Sequence, residues 1–466
     1  MLLLAACVAC QHPDRENPAD PAVLLRALHA AGTEAQRLAD LDILSTLPRS
    51  ALDALTADPL TAVRALLDDA DPSVAAKAAD LLAHWGDRGA TPGVVRLLQH
   101  RDPIVRLSAA TALGTLADPA STEALIQAAG DADANVRAQA CSALGTIGQA
   151  RAAPVLRERL GDADASVRAA AVGALATMAS SGDVVALLGL LQDHDAGVVT
   201  AAAEALGRSG DEQAVAPLIA LLRYADEVPR CAAVIALGRL GDPAAVGPLV
   251  EQLRSHDLTV RIATLRALGT LGDPAALPAM LDAAADGNPI VAERLPYALA
   301  RLYARSDHEA FAGYLRSPNP NVRAAVALAL GVAGDGRAAS LLRQASTDPA
   351  GAVRLGAVEA LGLLGLPDST DVLRHVNEQD PDPQVREAAA VAVALVQQPA
   401  SSLMQRLRDS LHDPDPAVRR SAADVLGFLG VTDAVAVLRH AAEADTDATV
   451  ANAAMLAVLR MDDATL

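Results

Sequence analysis

A valine that recurs every 31 residues constrains the fold of this chain more than any other feature. The series keeps its spacing through Val74, Val105, Val136, Val167, Val198, Pro229, Val260, Val291, Val322 and Val353, with proline once in place of valine. It continues at spacings of 32, 33 and 32 residues with Val385, Val418 and Val450. A fixed period of this length is typical of stacked repeat proteins, so about a dozen units are expected to fill residues 69–462.

Each unit carries the pattern of two antiparallel helices. A leucine stands eight residues after the anchor valine, and small residues four and five after it complete one face of a first helix. The glycines expected to end first helices are Gly86, Gly148, Gly210, Gly241, Gly272 and Gly365. The aspartates expected to cap second helices are Asp87, Asp118, Asp211, Asp242, Asp273 and Asp335. The second helices carry an apolar column at Leu125, Leu156, Leu187, Leu218, Leu249, Met280, Phe311 and Leu342.

The composition agrees with such a stack. Hydrophobic residues make up 52% of the chain but aromatic residues only 2%, so the interior must be built from Ala, Leu and Val. One unit cannot bury both of its faces, and neighbours must therefore cover each other. The predicted fold class is an all-α solenoid superhelix of about twelve helix-turn-helix repeats. Residues 21–68 are expected to form a helical cap or degenerate repeat, and residues 69–466 the solenoid, ending in a half repeat.

The segments Asp257–Arg261 and Ala267–Pro274 resemble the HEAT repeat of the phycobilin-lyase-like type. The resemblance covers most of the chain and implies the α-solenoid fold. For function it implies less, because the family includes scaffolds, adaptors, regulatory subunits and a few enzymes.

The start of the chain is a separate segment. Residues 2–10 are apolar and a polar tether follows to residue 20. Leu4-Ala5-Ala6-Cys7 resembles the lipobox of bacterial lipoproteins, which implies that Cys7 carries the lipid. No basic residue precedes the apolar run, which departs from that pattern and leaves open an apolar N-terminus on a cytoplasmic protein.

Charged residues recur with the repeat. An aspartate stands three residues before most anchor valines, and an arginine directly follows many of them, as in Asp133-Ala134-Asn135-Val136-Arg137. The aspartate is expected to cap its helix and the arginine to bind an acceptor in the adjacent repeat, forming a ladder. The alternative is a row of calcium sites at the D-x-D pairs Asp131/Asp133 and Asp162/Asp164, although the remaining ligands of such loops are missing.

Catalytic chemistry has little support in the sequence. The metal-dependent hydroxylases among HEAT-type enzymes hold iron through several His-Glu pairs, whereas this chain has one, His308-Glu309. Cys141 and Cys231 are interpreted as inert helical thiols, and no nucleotide-binding or hydrolase motif is present. We therefore expect no enzyme activity, no cofactor and no metal, with a bilin lyase-like or hydroxylase-like enzyme as the alternative.

Departures from the repeat mark candidate binding surfaces. Tyr297, Tyr303 and Tyr314 lie close together in sequence with Arg294 and Arg301, and Tyr and Arg are the residues of interface hot spots. The alternative is that these rings fill space beside Pro296. Leu188 and Leu190 lie in an all-apolar second helix and form a second candidate. The resemblance to HEAT proteins implies that second helices line the concave surface, where these residues would form the floor of a peptide groove; the alternative is a deeper core at this helix. Uncovered apolar residues of the last helix form a third: Met455, Leu459 and Met461.

The net charge of −19 argues against a nucleic-acid partner, because lysine and arginine must neutralise phosphates and an acidic chain is repelled by them. The sequence therefore predicts a non-catalytic scaffold or adaptor that binds a protein partner. The lipobox-like start predicts attachment to the bacterial cell envelope, in the periplasm or at the outer membrane, with membrane contact through the lipid alone.

Overall fold

The computed structural model describes seven ranges of the chain: residues 33–46, 59–178, 183–285, 288–303, 308–397, 403–429 and 432–465. Within them the chain forms α-helices and short 3₁₀ turns, and no β-strand occurs in these ranges. It divides into two compact units, Met1–Pro217 and Leu218–Leu466. The predicted all-α solenoid class is confirmed, while Cys7 and the tether lie outside the described residues.

In both units, long first helices alternate with short second helices. The first unit contains α1 Glu34–Ser45, α2 Pro59–Ala65, α3 Pro72–His84, α4 Thr91–Leu97, α5 Pro103–Leu116, α6 Thr122–Ala128, α7 Ala134–Ile147, α8 Ala153–Arg159, α9 Ala165–Thr177, α10 Val184–Leu190, α11 Ala196–Ser209 and the start of α12 Val215–Leu221. From α3 onward, odd numbers are first helices and even numbers are second helices.

The second unit repeats the same alternation. It contains α13 Glu227–Leu240, α14 Val246–Gln252, α15 Leu258–Leu271, α16 Leu277–Ala285, α17 Pro289–Tyr303, α18 His308–Gly313, α19 Pro320–Val332, α20 Ala339–Ala345, α21 Gly351–Leu364, α22 Thr370–Gln379, α23 Pro383–Gln397, α24 Leu403–Ser410, α25 Pro416–Leu429, α26 Val435–Ala444 and α27 Ala448–Thr465.

The turns between first and second helices follow from glycine and aspartate. All six glycines expected to end first helices have a positive φ, and Ala117 takes the same left-handed conformation with φ of 46°. The aspartates cap a 3₁₀ turn that precedes the second helix, which differs from the expected direct cap. At Asp118, for example, the carboxylate accepts a hydrogen bond from the Ala120 amide at 3.0 Å, and α6 begins after the turn Pro119–Ser121. The second helices are consequently short.

The predicted core columns are confirmed. The leucines eight residues after the anchor valines are buried throughout, from Leu82 to Leu361. The second-helix column is buried as well, including Met280 and Phe311. Burial of these two columns is what joins the two helices of a repeat to each other and to the next repeat.

Many consecutive first helices within each unit pack directly against each other at glycine. A Cβ atom added at Gly145 of α7 would lie 2.6 Å from the Ala174 Cα of α9, so only a glycine fits there. The Thr177 hydroxyl also donates to the Gly145 carbonyl at 3.2 Å. Glycine faces alanine of the next first helix in the same way at Gly114/Ala143, Gly238/Ala267, Gly269/Ala298, Gly331/Ala360, Gly362/Ala392 and Gly427/Ala457.

The predicted arginine ladder is present. The Arg137 guanidinium donates to both carboxylate oxygens of Asp162, at 2.9 and 2.8 Å, and to the carbonyl of Asp131 at 2.9 Å. The Arg137 hydrogen bond holds the pKa of Asp162 below its usual range. The same bidentate pair recurs at Arg106/Asp131, Arg168/Asp193, Arg323/Asp348, Arg354/Asp380 and Arg419/Asp445.

We expect Gly145→Ala to lower the free energy of unfolding by about 1–2 kcal/mol. Overpacking of backbone against backbone costs about 1–3 kcal/mol, and the better helix propensity of alanine offsets up to about 1 kcal/mol of it. The matched control is Gly173→Ala in α9, where an added Cβ meets nothing within 4 Å and a gain of about 0.5–1 kcal/mol is expected. Urea unfolding followed by circular dichroism measures both, and a stabilising Gly145→Ala would contradict this packing.

Candidate functional site

A groove runs across five consecutive first helices of the second unit, α17, α19, α21, α23 and α25. Helix α17 also contacts α25, although three first helices separate them along the chain. The cavity measures about 350 Å³. First helices line this groove, whereas the peptide groove predicted at Leu188 and Leu190 involves a second helix of the first unit.

One repeat position supplies the centre of the groove. It lies six residues after the anchor valine and holds a different residue type in nearly every repeat: Tyr297, Leu328, Glu359, Val391 and Asp424. All five side chains are half-buried, since they stand on the first-helix face that stacking leaves uncovered. This column was missed in the sequence, although the 31-residue spacing makes it visible once the correct helix face is known.

The groove combines an apolar floor with acidic walls. Its apolar side chains are Leu328, Leu355, Leu363, Val391, Leu395 and Val425. Its charged side chains are three carboxylates, Glu359, Glu387 and Asp424, and one guanidinium, Arg420. The Arg420 guanidinium donates to Glu387 at 3.3 Å, and both side chains remain largely exposed, so this pair stabilises the fold little.

Glu359 is the unusual member of this set. Leu355 and Leu363 stand one turn before and after it on α21 and line the same groove. Burial raises the pKa of the Glu359 carboxyl from its ordinary value near 4.5 to about 7, because an apolar environment disfavours the charged form. Perturbed carboxyl groups in clefts are frequent at functional sites.

The predicted aromatic patch is divided by the structure. Tyr297 lines the groove, whereas Tyr303 is buried with its ring 5.0 Å from that of Phe311 in an edge-to-face contact. The Tyr303 hydroxyl donates to the Asp335 carboxylate and accepts from Arg337 at 3.1 Å. Burial, together with the hydrogen bond to Asp335, raises the pKa of Tyr303 to about 12. Tyr303 thus stabilises the packing between repeats.

The remaining predicted residues lie apart from the groove. Arg294 and Tyr314 are half-buried and Arg301 is exposed, with its guanidinium 3.5 Å from the Thr270 hydroxyl. Leu188 and Leu190 are half-buried on α10 of the first unit. For these five residues, a role in binding remains a prediction. On α27, Met455 and Leu459 are about half exposed, and the Met461 side chain lies outside the described residues.

The side chains that could have held a metal are engaged elsewhere. Asp131 accepts from Arg106 and from the Asp133 amide, and Asp133 caps α7. His308 Nδ1 lies 2.7 Å from the Tyr303 hydroxyl and 2.8 Å from Asp335. Across the described ranges no group of three or more His, Cys, Asp or Glu side chains is placed to bind a metal ion. The Cys141 thiol is buried, and burial raises its pKa to about 12, as in an inert thiol.

A profile of HEAT repeats matches residues 60–133, 105–176, 122–190, 154–230, 216–300, 309–394 and 377–458. The chain therefore belongs to the HEAT-repeat family, as the repeat unit predicted. No curated protein matches the sequence.

Solved structures of importin-β share the fold. Yeast importin-β (Kap95p) is 15% identical, with a TM-score of 0.54 over 99% of this chain and 75% of its own. Importin-β crystallised from ammonium sulfate is 16% identical, with a TM-score of 0.52 over 99% of this chain and 80% of its own. The CpcE–CpcF complex of phycocyanin lyase from Nostoc sp. PCC7120 is 25% identical over 46% of this chain and 94% of its own, at a TM-score of 0.33. The likeness to the two importin-β structures concerns the fold alone.

In the described part of the chain, none of the helices combines the length and the apolar character needed to cross a bilayer.

We expect Glu359→Gln to raise the free energy of unfolding at pH 8 by about 2–3 kcal/mol and to leave it nearly unchanged at pH 4.5. The folded pKa of about 7 lies above the unfolded value near 4.5, so the wild type loses stability as pH rises between these two values. The matched control is Glu387→Gln in the same groove, whose side chain is 60% exposed and whose effect should stay below about 1 kcal/mol at both pH values. Urea unfolding at the two pH values measures this, and an equal effect of Glu359→Gln at both would contradict the assignment.

Proposed function

We propose that this protein is a non-catalytic scaffold and that the groove across α17–α25 is its binding surface for a protein partner. The observation that carries the proposal is the column of side chains six residues after the anchor valines. These side chains are half-buried on first helices, and they line one continuous cavity with an apolar floor. A preformed groove on a rigid stack binds a segment of another chain without first ordering its own backbone, which lowers the entropic cost of binding.

The charge of the groove supports a protein partner of basic character. Three carboxylates against one guanidinium make its walls acidic, and the whole chain has a net charge of −19. Complementary charge raises association rates and rejects partners of like charge. Nucleic acid is the partner that this surface repels most strongly.

Photo-crosslinking in cells tests the proposal. We expect a photoreactive residue at Leu328 or Val391 to capture one defined polypeptide, and Val391→Trp, which narrows the groove, to reduce capture from Leu328 about tenfold. Val185 on α10 is 74% exposed, so a probe there and the variant Val185→Trp are the matched controls. Capture of that polypeptide from Leu190 or Tyr314 and not from the groove would contradict this assignment and favour the other predicted surfaces.

We also propose that the scaffold is lipid-anchored at Cys7 in the bacterial envelope. The support is the lipobox-like segment Leu4–Cys7 and the polar tether that follows it. The diacylglyceryl group of such lipoproteins carries two acyl chains, and two chains anchor a protein to a membrane without any spanning helix.

Metabolic labelling with a radioactive fatty acid checks the anchor. We expect label in the wild type and in Cys10→Ser, and none in Cys7→Ser, together with a shift of the Cys7→Ser protein from the membrane to the soluble fraction. An unlabelled wild type with an unprocessed N-terminus would contradict the anchor and favour a cytoplasmic adaptor, while leaving the groove untouched.

A further inference from the structure

The Glu359 carboxylate is a hydrogen-bond acceptor that has no donor among the described residues. Within the described residues, no hydrogen bond or ion pair reaches it, and burial is the sole cause of its raised pKa. The side chains around it are apolar: Leu355 and Leu363 on its own helix, and Leu328 and Val391 at the same repeat position on the two neighbouring first helices. An ionised carboxylate in such surroundings is costly unless a cation pairs with it.

The carboxylate nevertheless lies on the groove and not in the core. Glu359 is half-buried, and it lines the same cavity as the other groove side chains. A leucine stands at the equivalent position of the preceding repeat, so an apolar residue is compatible with the stack. A leucine could therefore replace Glu359 without loss to the stacking of the repeats. The capping and ladder aspartates differ, because their carboxylates make hydrogen bonds within the stack.

The other titratable and charged groups facing the groove come from three helices. They are Tyr297 on α17, Glu387 on α23, and Arg420 and Asp424 on α25, whereas α19 contributes Leu328. Arg420 is already paired with Glu387. The groove therefore has an excess of negative charge and apolar surroundings. Among the described residues, its three carboxylates are not grouped closely enough to hold a metal ion.

We propose that Glu359 binds a lysine or arginine side chain of the partner, an inference that rests on the proposed function of the groove. The partner segment presents one basic residue flanked by apolar residues. The apolar flanks cover Leu328, Leu355 and Val391, and the cation pairs with the Glu359 carboxylate inside the space they seal from water. A charge-assisted hydrogen bond in a desolvated pocket is the kind of contact that dominates an interface.

Binding of this kind is coupled to release of a proton. The cation pairs with the ionised carboxylate, whereas the free groove holds Glu359 with a pKa of about 7. Affinity should therefore be about tenfold higher at pH 8 than at pH 6 and level off above pH 8. Glu387 and Asp424 face the groove as well, so their neutral variants are needed to assign the pH dependence to Glu359.

A randomised twelve-residue peptide library displayed on phage is the probe, selected on the full chain at pH 8. We expect the enriched peptides to share one lysine or arginine between apolar residues. A synthetic peptide from the enriched set, and the same peptide with methionine in place of the basic residue, are then titrated by calorimetry at pH 6 and pH 8. The methionine peptide should bind at least about tenfold more weakly at pH 8 and lose the pH dependence.

Two variants assign the effect to one carboxylate. Glu359→Gln should bind the basic and the methionine peptide equally well at both pH values, and Glu359→Leu, which restores the residue found at position 328, should prefer the methionine peptide. Asp424→Asn is the matched control at the same repeat position and should keep the pH dependence of the wild type. Circular dichroism verifies that each variant is folded.

The possible outcomes separate this inference from the proposed function. Enriched peptides that compete for the groove but lack a basic residue, or a pH dependence that persists in Glu359→Gln, overturn the role of Glu359 and leave the groove as a binding surface. Absence of any enriched peptide whose binding is blocked by Val391→Trp overturns both.

Discussion

The structure depends on the close contact between neighbouring first helices at glycine and alanine. The glycine nine residues after one anchor valine faces the alanine seven residues after the next, as Gly145 faces Ala174. Because no Cβ intervenes, the two backbones approach until their leucine columns interlock, and the short second helices cannot make an equivalent contact. Which helices stack closely also decides which face of the repeat remains open, and the groove forms on that face.

The paired aspartates form a second, polar set of contacts between neighbouring repeats. In the pair Asp162/Asp164, the first aspartate accepts hydrogen bonds from Arg137 of the preceding repeat, and the second caps the helix that follows. Each carboxylate is thus used by the protein itself. A pattern that in isolation is compatible with calcium binding is, in the folded chain, a bidentate ion pair followed by a helix cap.

The groove contains a repeat position at which the residue type differs in each of its five repeats. Anchor valines, leucines and glycines are confined by packing on all sides, so they recur with little change. The position six residues after the valine is only half-buried on the groove, and it carries tyrosine, leucine, glutamate, valine and aspartate in five successive repeats. Burial raises the pKa of the Glu359 carboxyl in this column, and a residue placed at a cost to stability is typical of a functional position.

The sequence by itself determined the repeat, the two helices of each unit, the core columns, the glycine ends and the arginine ladder, because these follow from contacts within one repeat or between adjacent repeats. It could not determine which helix face would be open, since that depends on how closely first and second helices approach in three dimensions. Tyr303 illustrates the limit: its spacing matched an exposed patch, but Phe311 and Asp335 enclose it. Only the tertiary structure brought Tyr297, Glu359 and Asp424, separated by two repeat lengths or more, onto one groove.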